Sequence, residues 1–380
     1  YGESVKPAVL IIAGGQLQVP AVEAARSLGL ATIVTDRDIH GAPAASLADE
    51  PVPLDTYDVE GHLHLAGRLR KEYDLRGVFT AGADVEVTVA AVAEYCRLPG
   101  IGVEAALNCK NKARMRNCLR YSPAGFDFSV PYREVSACYS LGSQYVHGIY
   151  GDVSTIGYSV IVKPVDNCAS RGVSKVTTPA TLAPAISRAI AHSSTGTCII
   201  EKCYVGEEQT VEILFDEKGQ WHPINICDRW FTERYGHVRM ETGNKSPSML
   251  DQRIRSSLYE FVLRAANSIG IRWGVFKCDT LLESNNNIRI LECTARLSGG
   301  YDSSYIQPLA FGNNPTLAAL KLAIRIPFDP LDLEHKWERH AAINGVFPPT
   351  GRVSSVMCTN PKPDWIERYF IRTHWGDRID

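Results

Sequence analysis

Short apolar runs closed by glycine, proline or an acid recur along the first part of the chain, each followed by apolar positions at helical spacing. Val9-Leu10-Ile11-Ile12 ends at Ala13-Gly14-Gly15, and Val19 to Leu28 then repeats with a helical period, predicting a strand, a glycine turn and a helix. A second strand, Ala31 to Thr35, ends in Asp36, and a third begins at Gly77-Val78-Phe79-Thr80 ahead of an alanine-rich helix from Val85 to Cys96. Repeated strand-then-helix units predict a parallel sheet, because parallel neighbours need a crossover connection. Between the second and third strands, Ala42-Pro43, Pro51 and Pro53 predict loop and a short edge strand, since proline cannot donate to a ladder. This first domain is expected to cover residues 1–109.

Past Asn108 the pattern changes. Basic residues cluster on a predicted helix from Lys110 to Arg120, and Ser122-Pro123 and Val130-Pro131 then break it. Ser159 to Pro164 reads as a strand, Asp166 to Gly172 as a polar loop, Ser174 to Val176 as a returning strand, Thr181 to His192 as a helix and Cys198 to Glu201 as a short strand. Gln209 to Phe215 alternates as a strand should. Leu258 to Ile269 is an amphipathic helix, and Gly274 to Leu282 and Ile288 to Thr294 form an antiparallel hairpin through Ser284-Asn285-Asn286-Asn287. The expected divisions are 110–205, 206–326 and a β-rich extension over 327–380.

Several residue groups could carry chemistry. Gly14-Gly15-Gln16 ahead of a helix could receive an anion or be a plain turn, and its spacing is not that of a dinucleotide fingerprint. Asp36 and Asp84 follow parallel strands, where open α/β sheets place their crevice, although capping explains them equally well. Lys163 sits inside an apolar strand, so it must snorkel or meet an anion, and the loop Asp166 to Gly172 adds a hydroxyl, a guanidinium and flexible backbone. The alternative is an exposed hairpin with a surface lysine. Glu201 ends a strand and Glu208 follows across a turn at Gly206, which suits a purine and ribose or else is a solvated acidic turn. Asp279 on one strand, with Glu292, Thr294 and Arg296 at period two on the next, combines hard oxygen ligands with a phosphate-binding cation, unless the hairpin is simply salt-bridged. Ser298-Gly299-Gly300 lets backbone come close to a ligand.

Composition narrows the classes. Forty Lys plus Arg against 42 Asp plus Glu give a net charge of −2, so no electrostatic surface for nucleic acid is expected. A hydrophobic fraction of 45% permits a sizeable core, and no apolar run is long enough to span a membrane. Eleven cysteines without CxxC pairs argue against a disulfide framework or structural zinc, so reduced thiols and a cytoplasmic location are expected. The histidines, including His237, form no metal-binding pattern, and the cysteines read as small fillers. The chain opens on Tyr1 rather than Met, so its natural start need not be present.

The order of these pieces resembles the ATP-grasp superfamily, in particular its carboxylate-amine (amino acid) ligases, from about Val9 to Ile326. The carrying motifs are Asn111-Lys112, Val162-Lys163-Pro164 with Ser170-Arg171-Gly172, Glu201 to Glu212, and Leu291 to Gly300. The resemblance implies a fold: a Rossmann-like parallel domain preceding a two-part α+β ATP-grasp unit. It further implies that Lys112 and Lys163 contact ATP phosphates beneath the lid loop Ser170-Arg171-Gly172. Glu201 and the backbone of Lys202, Cys203 and Tyr204 would face adenine, and Glu208 would hold the ribose. Asp279 and Glu292 match the acidic Mg²⁺ ligands, with Mn²⁺ as an alternative ion, and Arg296 matches the arginine that stabilises phosphate and acyl phosphate. Thr294 departs from the usual Asn at a metal position. Arg239 to Pro247 resembles the region before the last helix of amino acid ligases, so Glu241 would meet an ammonium group and Ser298, Gly299 and Gly300 a carboxylate, with a surface loop as the alternative.

The reaction so implied joins a small carboxylate to an amine through an acyl phosphate, releasing ADP and phosphate. Two other readings stand beside it: a carboxylase or kinase of the same fold using bicarbonate or another acceptor, and a catalytically weak nucleotide-binding regulatory protein. The family also makes a homodimer an option, although no stretch identifies an interface. Relatives often continue with β-hairpins beyond the region of Trp375-Gly376-Asp377.

Overall fold

The computed structural model describes residues 5–120, 128, 130–137, 143–235, 238–347, 351–357, 362–372 and 377–379. The first part contains β1 (Pro7–Ile12), α1 (Val19–Ser27), β2 (Ala31–Asp36), β3 (Glu50–Pro53), α2 (Val59–Glu72), β4 (Asp74–Phe79) and α3 (Glu86–Cys96). Its four strands pair in parallel in the order β3-β2-β1-β4, with the proline-bearing β3 on the edge. β1 is buried on both faces, as a central parallel strand between helical layers must be. Helix α2, which the sequence pattern had left inside the loop, starts on Asp58, whose carboxylate accepts from the Gly61 N–H at 2.9 Å. The polar face of α2 masks its short apolar stripe of Leu65, Ala66 and Leu69.

Two helices follow, α4 (Val103–Lys110), which the sequence pattern had not marked, and α5 (Lys112–Arg120), which falls within the basic helix expected from Lys110 to Arg120. Asn111 separates them: its backbone is extended, and its side-chain oxygen caps α5 by accepting from the N–H groups of Ala113 and Arg114. Next come β5 (Tyr132–Ser136), α6 (Ser143–Ile156), β6 (Val160–Pro164), β7 (Ser174–Val176), α7 (Leu182–Ala191) and β8 (Thr197–Lys202), giving an antiparallel sheet of order β5-β8-β6-β7.

The larger antiparallel sheet is built from β9 (Glu207–Phe215), β10 (Trp221–Tyr235), β11 (Val238–Ser246), β12 (Gly274–Leu282) and β13 (Ile288–Thr294), in the order β13-β12-β9-β10-β11. Helix α8 (Gln252–Ile269) starts six residues before the predicted helix, capped by Asp251, and ends at Gly270 with φ +99°, a conformation glycine adopts without strain. Strand alternation gives this sheet two unlike faces. Val211, Ile213 and Phe215 pack with Phe276 and Ile290 against Leu258, Val262 and Ala266 of α8. The intervening residues Glu208, Thr210 and Glu212 share the opposite face with their cross-strand partners Arg229, Asn225, Asp279 and Lys277. Helices α9 (Gln307–Phe311) and α10 (Pro315–Ala323) complete this part, and β14 (Ala341–Asn344) adds an outer strand beyond β11.

Residues 1–343 form one compact unit and 344–380 a second, in which the described β15 (Gly351–Arg352) pairs with β16 (Arg378–Ile379). No described helix is long and apolar enough to cross a membrane. His237 lies outside the described residues.

Candidate active site

The polar face of the large sheet carries Glu208, Glu241, Asp279, Glu292 and Thr294, and the inner strands of the smaller sheet carry Lys163, Glu201 and Lys202, the other predicted residues lying on α5 and in loops. Glu201, on β8, is buried rather than part of a solvated turn: Arg116 donates Nε to its Oε1 at 2.7 Å, and the Lys163 ammonium lies 2.8 Å from its Oε2. Burial alone would raise the Glu201 carboxyl, but Arg116 and Lys163 reverse this and hold it at about 2. Burial conversely lowers the Lys163 ammonium, aided by Arg116 and Lys112 and opposed by Glu201. Lys163 has therefore met an anion instead of snorkelling. Arg116 also donates to the Ile290 and Leu291 carbonyls, which ties α5 to β13.

Lys112, four residues before Arg116 on the same face of α5, pairs with Glu292 at 2.7 Å and donates to the Asn167 carbonyl at 2.8 Å. It thereby joins the loop before Ser170 to the carboxylate on β13. Arg171 turns back onto its own loop, donating to Asn167 Oδ1 and Cys168 Sγ. Ser170 and Gly172 both have positive φ, 56° and 76°, and a Cβ on Gly172 would stand 2.7 Å from His192. The Lys202 ammonium donates to Gly157 and Tyr158 carbonyls, while the backbone N–H groups of Lys202 and Cys203 donate to Pro131 and Ser159. The Tyr204 ring lies under the Arg289 guanidinium.

Asp279 and Glu292 stand directly opposite each other across β12 and β13. Thr210 donates to Asp279 at 2.6 Å, Lys277 pairs with it at 2.6 Å, and Arg229 approaches at 3.2 Å. Burial pushes the Asp279 carboxyl up, and Arg229 and Lys277 bring it down to about 2. Glu292 is likewise held below its ordinary value, burial being outweighed by Lys112 and Lys277. Thr294 Oγ1 is buried without a hydrogen-bond partner. Two hard carboxylates and an orphaned hydroxyl fit a Mg²⁺ ion, and two cations now screen Asp279. Among the described residues no group of three His, Cys, Asp or Glu side chains is gathered to hold a metal by itself.

Arg229 is a hub that the sequence pattern did not single out. Its guanidinium reaches Glu208 at 3.4 Å, Glu241 at 2.7 Å and Asp279 at 3.2 Å, so the candidate ribose, ammonium and metal residues share one counterion. Lys277, two residues before Asp279, was also missed, although period-two spacing from Asp279 marks it. Glu241 lies on strand β11 rather than in a surface loop. Arg296, past the end of β13, pairs with Asp84 from the N-terminal part, whose carboxyl is held well below its ordinary value when Arg296 outweighs burial. Asp36 accepts from the Gly14 N–H at 2.8 Å, so an internal carboxylate already meets the glycine turn.

Ser298, Gly299 and Gly300 face the loop after β4. A Cβ on Gly82 would come within 3.2 Å of Gly299, and one on Gly299 within 3.3 Å of the Gly82 carbonyl, so the two backbones run in close contact, with Gly82 at φ +68°, a conformation that side chains rarely adopt. Asn244 donates to the Gly300 carbonyl at 3.0 Å. The described cysteines are free thiols, and Cys278 and Cys293 face each other with sulfurs 3.6 Å apart inside the core.

A parallel domain is followed by two antiparallel sheets, with Lys112 of α5 on Glu292 of the larger sheet and Lys163 on Glu201 within the smaller. The chain matches, over residues 156–304, the family model described as the ATP-grasp domain. It is 27% identical over 214 residues to a D-alanine–D-alanine ligase of Acinetobacter baylyi, covering 54% of this chain and 63% of that protein. The chain spans less than two thirds of the length of the curated relatives it matches. Its fold matches an L-amino acid ligase from Bacillus licheniformis with a TM-score of 0.73 at 22% identity, covering 92% of this chain and 82% of that one. A similar match, TM-score 0.71 at 16% identity over 90% and 74% of the two chains, is to the biotin carboxylase domain dimer of Hydrogenobacter thermophilus 2-oxoglutarate carboxylase, in complex with magnesium ADP, ADP and bicarbonate.

Proposed function

We propose that the protein is an ATP-dependent carboxylate-amine ligase that makes an amide or peptide bond through an acyl phosphate. The observation that carries this reading is the convergence of Lys112 on Glu292, 2.7 Å apart, with Asp279 opposite Glu292 and Lys163 buried nearby on Glu201. A cation of α5 thus meets the carboxylate pair of the larger sheet, and a second cation lies beside it on the smaller, the combination that a nucleotide triphosphate and its metal require. The likeness to D-alanine–D-alanine ligase and L-amino acid ligase supports small carboxylate and amine substrates, one of them an amino acid.

In this reading Lys112 and Lys163 exchange their present carboxylate partners for phosphate oxygens, and Glu208 holds the ribose. Asp279, Glu292 and Thr294 would hold Mg²⁺, which supplies charge neutralisation along the phosphates. A carboxylate oxygen of the first substrate attacks the γ-phosphorus, the bond to the β-phosphate oxygen breaks and ADP leaves. Arg296, released from Asp84, stabilises the charge on the transferred phosphoryl group. The amine then adds to the acyl carbon, and the tetrahedral intermediate expels phosphate. Glu241 would receive the ammonium of an amino acid, the Ser298 to Gly300 loop its carboxylate, and the Ser170 to Gly172 loop would exclude water from the acyl phosphate.

ADP release with Mg²⁺-ATP against a panel of amino acids and other carboxylates, with hydroxylamine as trap, tests the reading. Carboxylate-dependent ADP and a trapped hydroxamate support it. ADP release driven only by bicarbonate would instead favour the carboxylase reading, which the likeness to the carboxylase domain keeps open. ATP binding without turnover under every condition would favour a regulatory role.

A further inference from the structure

Beneath the Ser298 to Gly300 loop lies a second pair of acids that the proposed chemistry does not use. Glu212 on β9 and Asp302, just after the loop, are 0% and 1% exposed. Glu212 Oε1 accepts from the Ser298 N–H at 2.6 Å and from the Ser303 hydroxyl at 2.8 Å. The Gln307 amide nitrogen donates to Glu212 Oε2 and, at 3.2 Å, to Asp302 Oδ2, bridging the two carboxyls. Asp302 Oδ1 accepts from the Ser246 hydroxyl at 3.1 Å, and the Asn225 amide lies at 3.4 Å.

Among the described residues no Lys, Arg or His pairs with either acid. Lys277, directly across the strand pair from Glu212, gives its ammonium to Asp279, and Arg229 is taken by Glu208, Glu241 and Asp279. The other titratable groups facing the pair are Cys227 of β10 and Tyr259 of α8, both of which hold their protons. Two ionised carboxylates on one amide, without a cation and away from water, repel each other strongly.

We propose that Glu212, Gln307 and Asp302 are a positioning unit for the Ser298 to Gly300 loop, holding one proton between the two carboxyls so that Glu212 can keep the Ser298 N–H in place. This inference rests on the ligase reading for its substrate, since that loop is the candidate carboxylate subsite, but the geometry of the unit does not. Burial, with Asp302 adding to it, pushes the Glu212 carboxyl up to about 7, and burial raises Asp302 as well. Loss of the shared proton leaves two charges repelling under the loop, so the loop loosens as pH rises past neutrality.

Hydrogen exchange of the 297–302 backbone, corrected for the intrinsic effect of pH, tests this from pH 6 to 9 in the wild-type chain and in E212Q, D302N and E212A. Wild-type protection is expected to fall above about pH 7 with a slope approaching tenfold per pH unit, that of one linked proton. E212Q and D302N, which carry no such proton, are expected to hold protection level, and E212A to lose it at every pH. A flat wild-type profile, or the wild-type decline persisting in both E212Q and D302N, overturns the proposal. Should E212A not fold, the two near-isosteric variants still decide. In a parallel assay of carboxylate-dependent ADP release, the wild-type KM for the carboxylate should rise over the same pH range with kcat less affected, and E212Q should abolish that rise. If no carboxylate drives ADP release, the ligase reading falls while the exchange profiles still judge the positioning unit.

Discussion

Arg116 and Glu201 form a salt bridge 2.7 Å long in which the guanidinium is wholly buried, and that pair fixes helix α5 to the strand carrying the candidate adenine residues. Glu201 also holds Lys163, so removing Glu201 leaves two buried cations without an anion, whereas removing Arg116 leaves the Lys163–Glu201 pair. Glu201→Met is expected to lower stability by about 3–5 kcal/mol, and Arg116→Met by less. Urea unfolding of both variants checks the difference.

The same pair sets an acid limit on stability. Glu201 titrates at about 2 in the fold against an ordinary value of 4.5, so the folded state prefers the ionised form. Its contribution is fully present above about pH 4.5 and is lost as pH falls through 2. Unfolding midpoints between pH 2 and 6 should therefore decline more steeply for the wild-type chain than for Glu201→Gln.

Asp279 and Glu292 face each other, yet cations now attend each one. Glu292→Gln is expected to reduce turnover about 10²–10³-fold by weakening charge stabilisation at the reacting phosphates. Calorimetry with ADP in the presence and absence of Mg²⁺ gives a second reading: the Mg²⁺-dependent gain in affinity should shrink in the variant and persist in the wild-type chain.

Thr294 offers a short hydroxyl where an amide oxygen is usual in the resembling superfamily, and that hydroxyl has no partner in the structure. Thr294→Asn should lower the Mg²⁺ concentration needed for half-maximal ADP release by several-fold. An unchanged Mg²⁺ requirement would show that position 294 does not reach the metal.

Arg229 is the common counterion of Glu208, Glu241 and Asp279. Arg229→Gln leaves three carboxylates close together, so stability should drop by about 3–5 kcal/mol and Mg²⁺ should raise the melting temperature more in the variant than in the wild-type chain. Differential scanning fluorimetry across a Mg²⁺ series measures both effects.

The sequence by itself determined the elements whose pattern is local. Short apolar runs closed by glycine or an acid marked the parallel strands, period two marked one face of the hairpin of Asp279 and Glu292, and alternation along β9 carried over into its two unlike faces. The ordered motifs around Lys112, Lys163, Glu201 and Glu292 pointed to the ATP-grasp domain whose family model matches residues 156–304. Helix α2 and strands β10 and β11 escaped, because their polar faces hide the apolar stripe that packing completes. Charge pairing could not be read at all. Arg116 lies 85 residues from Glu201, Arg296 lies 212 from Asp84 and Glu212 lies 90 residues before Asp302. A buried charge takes whichever partner the fold brings within reach, and that choice is made in three dimensions, where desolvation makes an unmet charge intolerable.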